Sequence, residues 1–259
     1  MERSSYYELI RDGGRPVCSI DELSDILAAP KDRYRAVRPW LCDDRMDPET
    51  GIGGLHTIFS RQFEQWWEFR KSQWDGRGLD NTGAGLTAFI ESCRRQHEGA
   101  GSKRWVVSPE FEQMMRTDWE EMPPQLPVEE QTFTAYSKAV NRRLAPHHFT
   151  IRLSKDPQKQ SVWATWLEYL SFKIRVLETL TDRVGSQEPR YHACRKKLLD
   201  EREPKHPLRE THIDTAAELA ALSAELCVCY KSIDDIIQGT DRYVMNPPPS
   251  ITLPLFHSN

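Results

Sequence analysis

No stretch of this chain stays apolar for the roughly 20 residues that a bilayer-spanning helix requires, so a transmembrane helix is not expected. Hydrophobic residues make up only 38% of the 259 positions, and the mean hydropathy is −0.66. Both fall on the polar side of soluble globular proteins. Charge of one sign is lacking too. A formal net charge of −4 selects neither nucleic acid nor membrane, so any electrostatic argument rests on how charge is distributed. The first residues, Met1-Glu2-Arg3-Ser4-Ser5-Tyr6-Tyr7, lack the apolar centre of a signal peptide and carry an acid that a transit peptide avoids. An intracellular location is expected, cytoplasmic or nuclear, and in that reducing setting the six cysteines are read as thiols rather than bridges.

Motifs that carry chemistry are equally scarce. Gly51-Ile52-Gly53-Gly54 lacks the trailing lysine and the preceding strand of a phosphate loop, and no serine, cysteine and histidine set has a nucleophile-elbow context. His192-Ala193-Cys194, His206, His212 and Cys227-Val228-Cys229 do not have zinc spacing, and Cys227 and Cys229 cannot share one helix face. His147-His148 after Pro146 is read as a helix-stop turn. No cofactor or metal is expected. One exception is weighed: Asp43, Asp44 and Asp47 spell an aspartate-rich string of the kind that holds magnesium and diphosphate in isoprenoid synthases. The second motif such an enzyme needs is met only by Asp182, Ser186 and Arg190, whose last member has the wrong charge, and Pro48 breaks the local helix. The cluster is read as an acidic loop, with a small-molecule enzyme as a minor alternative.

What the chain does have is aromatic side chains: eight Trp, eight Tyr and nine Phe. Residues 59–78 hold six aromatic and seven charged side chains in twenty positions. Phe63, Trp66, Trp67, Arg70 and Trp74 recur there at spacings of three and four, which predicts a helix with one buried face, opened by Ser60 and stopped by Gly76 and Gly78. Arg70 falls within the apolar stripe and requires a buried acid or carbonyl as partner.

The remaining pattern is helical throughout, and the fold class expected is all-α, an irregular multi-helix array. Short helices are predicted near 20–29 and through Tyr34, Val37 and Leu41, within a loosely organised N-terminal region 1–58. Leu86, Phe89, Ile90 and Cys93 mark a helix ending near Gly99. Ser108-Pro109-Glu110 opens another, and Thr132 opens one on Phe133, Tyr136, Val140 and Leu144. Asp156-Pro157 is expected to open the longest helix, to about Val184, with a separate one from Pro189 to about Glu203. The last is expected from near Thr215, carrying Leu219, Leu222, Leu226, Cys229, Ile233 and Ile237. The helical domain thus spans 59–240, and 241–259 is a Pro-rich extended tail. Leu86-Thr87-Ala88-Phe89 with Arg94-Arg95 is echoed by Phe133-Thr134-Ala135-Tyr136 with Arg142-Arg143, which suggests a twofold helical-hairpin repeat.

Three strings stand out: Phe69-Arg70-Lys71-Ser72-Gln73-Trp74 with Arg77-Gly78-Leu79, Arg142-Arg143-Leu144-Ala145-Pro146-His147-His148-Phe149-Thr150, and Trp163-Ala164-Thr165-Trp166-Leu167-Glu168-Tyr169-Leu170. Over about residues 59–175 the chain resembles a group of all-helical proteins common in filamentous fungi, to which no activity is assigned. The resemblance implies an intracellular accessory protein and carries over no catalytic residue.

Function is therefore expected to be noncatalytic, that of an interaction or scaffold protein, with Leu219, Leu222, Leu226, Ile233 and Ile237 as a candidate surface for a partner or for self-association. A second expectation comes from charge. Residues 133–160 carry six basic side chains and one acidic, whereas 110–130 and 210–241 each carry one basic and seven acidic. Arg142, Arg143, Arg152 and Lys155 are the candidate phosphate contacts of a nucleic-acid-binding protein.

Overall fold

The structure, a computed structural model, describes residues 2–28, 58–79, 83–122, 126–200 and 206–245. They form eight α-helices: α1 Glu2–Arg11, α2 Ile20–Ala28, α3 Ile58–Asp75, α4 Ala84–Gly99, α5 Pro109–Glu121, α6 Phe133–Leu144, α7 Val162–Asp200 and α8 His206–Met245, with three short 3-10 turns between α5 and α7. No strand occurs among the described residues. The all-α class follows directly from the three-and-four periodicity of the apolar positions.

Helix α3 is the centre. It is buried around most of its circumference, because Arg70, Lys71, Ser72 and Gln73 lie inside along with the aromatic stripe. The sequence pattern foresees one buried face and one charged face; over residues 69–74 the second face is covered as well, while Glu64 stays exposed. On one side α1 and α4 pack against it, and Trp67 meets Phe89 of α4 at a centroid distance of 5.3 Å. On the other lies α7, where Trp66 meets Tyr169 at 5.2 Å and Phe69 meets Tyr169 at 5.2 Å. Helix α5 reaches this core through α4, with Phe89 and Trp119 at 5.5 Å. Such edge and tilted ring contacts suit the quadrupole of aromatic side chains.

Both ends of α3 are set by chemistry that can be named. Its first free N–H groups are capped from α1: the Glu2 carboxylate accepts from Phe59 N at 2.8 Å, Ser60 N at 3.0 Å and Ser60 Oγ at 2.6 Å. An acid at a helix N-terminus also meets the positive end of the dipole. Ser60 is therefore inside the helix and bonded to its cap, not the cap itself. At the other end Gly78 takes φ +65°, the left-handed turn that favours glycine, and Leu79 N donates back to the Trp74 carbonyl at 3.0 Å. This places α1, with Leu9 in the main core, as an integral part of the fold, where the sequence suggests a loose N-terminal region.

Local signals elsewhere act as their residue types predict. Ser108 Oγ accepts from Phe111 N at the start of α5, and Thr132 Oγ1 from Ala135 N at the start of α6. Asp156 caps only the 3-10 turn Pro157–Lys159; Ser161 Oγ takes over as acceptor for Ala164 N, so α7 opens at Val162. Helix α7 then continues without interruption past Pro189 to Asp200, joining two expected helices into one. Helix α8 starts at His206 and runs to Met245, earlier and later than expected, with Pro207 in the first turn where its missing N–H costs nothing.

At 39 and 40 residues, α7 and α8 are each roughly 60 Å long at 1.5 Å rise per residue. They run antiparallel, tied by Gln187 Nε2 donating to Glu218 Oε1 at 2.9 Å and by Cys229 Sγ lying 3.8 Å from the Lys173 carbonyl. The N-terminal half of α7 is core, and the pair beyond Leu180 is largely exposed as a two-helix arm. The echoed segments take different neighbours: α4 packs on α3 and α5, whereas α6 packs chiefly on α7.

Candidate binding groove

Polar residues of the first and third strings, Gln73, Arg77 and Glu168, converge on one buried centre. Glu168, 0% exposed, points from α7 into the α3 interface. Its carboxylate accepts from Arg77 Nη1 at 2.7 Å and Nη2 at 3.1 Å, from the Tyr136 hydroxyl at 2.6 Å and from Gln73 Nε2 at 2.7 Å, and Gln160 Nε2 closes the set. Arg77 spends its other donors on Ser154 O at 2.8 Å, Gln73 O at 3.0 Å and Gln160 Oε1 at 2.8 Å. Gly76 makes room for this: a Cβ there would sit 2.6 Å from the Tyr136 ring. Burial and then the Glu168 charge push the Tyr136 hydroxyl well above its ordinary range, so it stays a donor. Burial works against the Arg77 charge, and Glu168 more than restores it.

A buried carboxylate, arginine and tyrosine together resemble an acid–base site, but here every acceptor of Glu168 is taken. Neither cavity described below is lined by Glu168, Arg77 or Tyr136. The arrangement does structural work, since a buried charge costs several kcal/mol unless paired and hydrogen-bonded, roughly. A second clamp answers the Arg70 question. Arg70 Nε lies 3.0 Å from Asp12 Oδ2, an ion pair out of line for a hydrogen bond, and Trp66 Nε1 donates to the same oxygen at 2.6 Å. Burial raises the Asp12 carboxyl above its ordinary range, with Arg70 and Trp66 opposing it.

The opposite flank of α3 is open. A groove of about 450 Å³ lies between α3, α4 and α5. Phe63 and Trp67 from α3, Phe89 from α4 and Met115 from α5 supply buried apolar walls, with Met114 at 39% exposure on the rim and Met122 beyond the end of α5. Glu64 and Glu68, one turn apart on α3, and Asp118 on α5 bring three carboxylates to the lining, which contains no Lys or Arg. Cys93 also lines it, but burial pushes its thiol up to about 12, far from the thiolate that a nucleophile needs. His97 stands edge-on to Trp105 at 4.7 Å, and burial lowers its affinity for a proton. The groove therefore holds no activated nucleophile; its chemistry is apolar contact edged by negative charge.

The residues singled out from sequence fall in three groups. Arg142 is exposed, 69% of its side chain, and Arg152 and Lys155 are exposed. Arg143 is not on that surface: it is buried between Glu130 at 2.5 Å and Glu178 at 2.8 Å, so a phosphate reaches it only by breaking those pairs. Arg152 lines a smaller cavity of about 270 Å³ with Lys159, Gln160 and Ser161. Leu222 and Ile233 are buried, and Leu226 and Ile237 pack against the same core; Leu219 is half-buried. Within one chain most of this stripe is occupied by the α7 seam. Asp43, Asp44 and Asp47, and the helix expected through Tyr34, Val37 and Leu41, lie outside the described residues.

Among the described residues no three His, Cys, Asp or Glu side chains form a metal-binding group, and Cys18, Cys93, Cys194, Cys227 and Cys229 form no disulfide. No helix there is long and apolar enough to cross a membrane. Sequence reasoning did not single out the groove. Its one local sign is Met114-Met115 on a helix rich in acids, while the facing walls come from helices separated along the chain.

Fold and groove together define an all-α protein built on a central aromatic helix, with an acid-edged apolar surface. No protein-family model, curated protein or solved structure matches the chain.

Proposed function

We propose that this chain is a noncatalytic helical interaction protein whose groove between α3, α4 and α5 receives a segment of a partner. One observation carries the reading: an open groove of about 450 Å³ lined by Met114, Met115 and Met122 together with the rings of Phe63, Trp67 and Phe89. Methionine adapts to varied apolar surfaces, and aromatic walls supply large buried area per side chain. The resemblance to the filamentous-fungal helical group supports an accessory role inside the cell.

A photo-reactive residue placed at Met114, compared with one at exposed Val162, tests this. A defined protein should be captured from Met114 alone, and the same protein, purified, should bind the full chain at fixed stoichiometry. A chain that stays a strict monomer at every concentration and labels equally from both positions would count heavily against the reading.

A second reading, nucleic-acid binding through residues 133–160, draws on the exposure of Arg142, Arg152 and Lys155. Salt-sensitive binding that weakens when these three become Ala supports it. A flat titration at low salt ends it.

A further inference from the structure

Helix α7 leaves the core carrying the two residue types that a helix interior tolerates least. Leu167, Leu170, Phe172 and Leu180 are buried and anchor its first half. Between Leu180 and Cys194 no residue of α7 is buried, and only Val184 still packs against the core in part. Gly185 and Pro189 both fall in that stretch. Proline has no N–H to donate to the carbonyl four residues back, and its ring crowds that carbonyl, which here belongs to Gly185. Glycine adds the largest backbone freedom of any residue. Both weaknesses thus act on one turn of helix.

Side-chain hydroxyls add to this. Ser186 Oγ donates to the Arg183 carbonyl at 2.8 Å, and Thr181 Oγ1 donates to the Leu177 carbonyl at 2.8 Å. Such back-bonding bends helices, and Gly/Ser pairs and prolines are the usual places where they kink. Helix α8 offers little resistance on its side. Gln187 Nε2 donates to Glu218 Oε1, which sets Glu218 beside the stretch, and Ala216, Ala217, Ala220 and Ala221 flank it. Methyl groups bury little area, so no large side chain has to leave a socket when α7 bends there. Large anchors return at Leu222, which is buried.

We infer that the turn from Gly185 to Pro189 is a hinge, about which the outer part of the α7–α8 arm, with Arg195 and Lys196 exposed on it, pivots against a fixed aromatic core. A few residues absorb the change in backbone angles, and the helices on either side move as rigid pieces. The hinge works whether or not the groove between α3, α4 and α5 takes a partner.

Distances between paired spin labels on the full chain test it, the labels carried on non-natural residues so that the native cysteines stay as they are. One pair joins exposed Glu120 on α5 to Lys196 on the arm; the reference pair joins Glu120 to exposed Val162 at the start of α7. The arm pair should give a distribution about twofold broader than the reference, as for a helix kinked at proline. It should narrow toward the reference in the double variant Gly185→Ala with Pro189→Ala, which places the best helix former at both positions. A Cβ at Gly185 meets nothing within 4 Å, so that substitution adds no clash. Helical content of the variant is checked first, and Pro189→Ala alone takes its place if it does not fold. An arm distribution as narrow as the reference overturns the hinge and makes the arm rigid. One that stays broad in the variant overturns it as well, because the bending then lies elsewhere.

Discussion

The two flanks of α3 are built from the same kinds of residue and reach opposite outcomes. Toward α7, Gln73 and Arg77 meet Glu168, which also accepts from Tyr136, and the polar atoms are spent on one another. Toward α5, from the earlier turns of the same helix, Glu64, Trp67 and Glu68 line a groove of about 450 Å³. The difference is burial. Helix α7 carries Glu168, fully buried, to Arg77, whereas Glu64 of α3 and Asp118 of α5 are exposed. A buried carboxylate is tolerated only when paired, so the first flank has to close, and the second carries no such requirement.

The largest effect should come from breaking the closed flank. Glu168→Ala leaves Arg77 buried without its counter-ion and should cost about 3–5 kcal/mol in denaturant unfolding. Arg77→Met together with Glu168→Leu should recover much of that loss, since an apolar pair leaves no stranded charge. If both behave alike, the network is not coupled.

Next comes Gly76→Ala. Its Cβ would lie 2.6 Å from the Tyr136 ring, a rigid neighbour, and the ring cannot retreat without lifting its hydroxyl from Glu168. About 1–3 kcal/mol of destabilisation is expected, as for overpacking elsewhere. A variant with unchanged midpoint would show that this seam is looser than the geometry says.

A smaller effect follows from pH at the open flank. Burial lowers the folded-state pKa of His97 below its ordinary 6.5. The sign follows: stability from His97 is fully present above pH 6.5 and is lost as pH falls through the folded value. Because the ring is half-exposed, the change should stay below about 1 kcal/mol. NMR titration should place its midpoint under 6.5, and a midpoint at or above that value contradicts the packing against Trp105 and Phe111.

The smallest change in stability should come from Met114→Ala on the groove rim, within about 0.5 kcal/mol for a surface position. Its binding should nevertheless fall. A large loss of stability here would mean that the groove is core and not a surface for a partner.

How much of this was legible depends on the reach of each signal. Helices α4, α5 and α6 are readable because Ser108, Thr132 and the apolar spacing act within one turn of chain. The strings holding Gln73, Arg77 and Glu168 stand out in sequence, yet their role does not, because Arg77 and Glu168 meet across 91 positions. Pro189 looks like a break and lies inside a continuous helix. The leucine and isoleucine stripe of α8 is visible as a stripe, and its neighbour α7 is not.

By itself, then, the sequence determined the all-α class, most helix starts and the burial of the aromatic face of α3, because hydrophobic periodicity and capping are local properties of a chain. Only the tertiary structure decided that Glu2 caps α3 from 57 positions away, that Arg70 is held by Asp12, and that one flank of α3 closes while the other opens. Those outcomes turn on which charges distant helices bring into contact, and residue spacing along one helix carries no record of that.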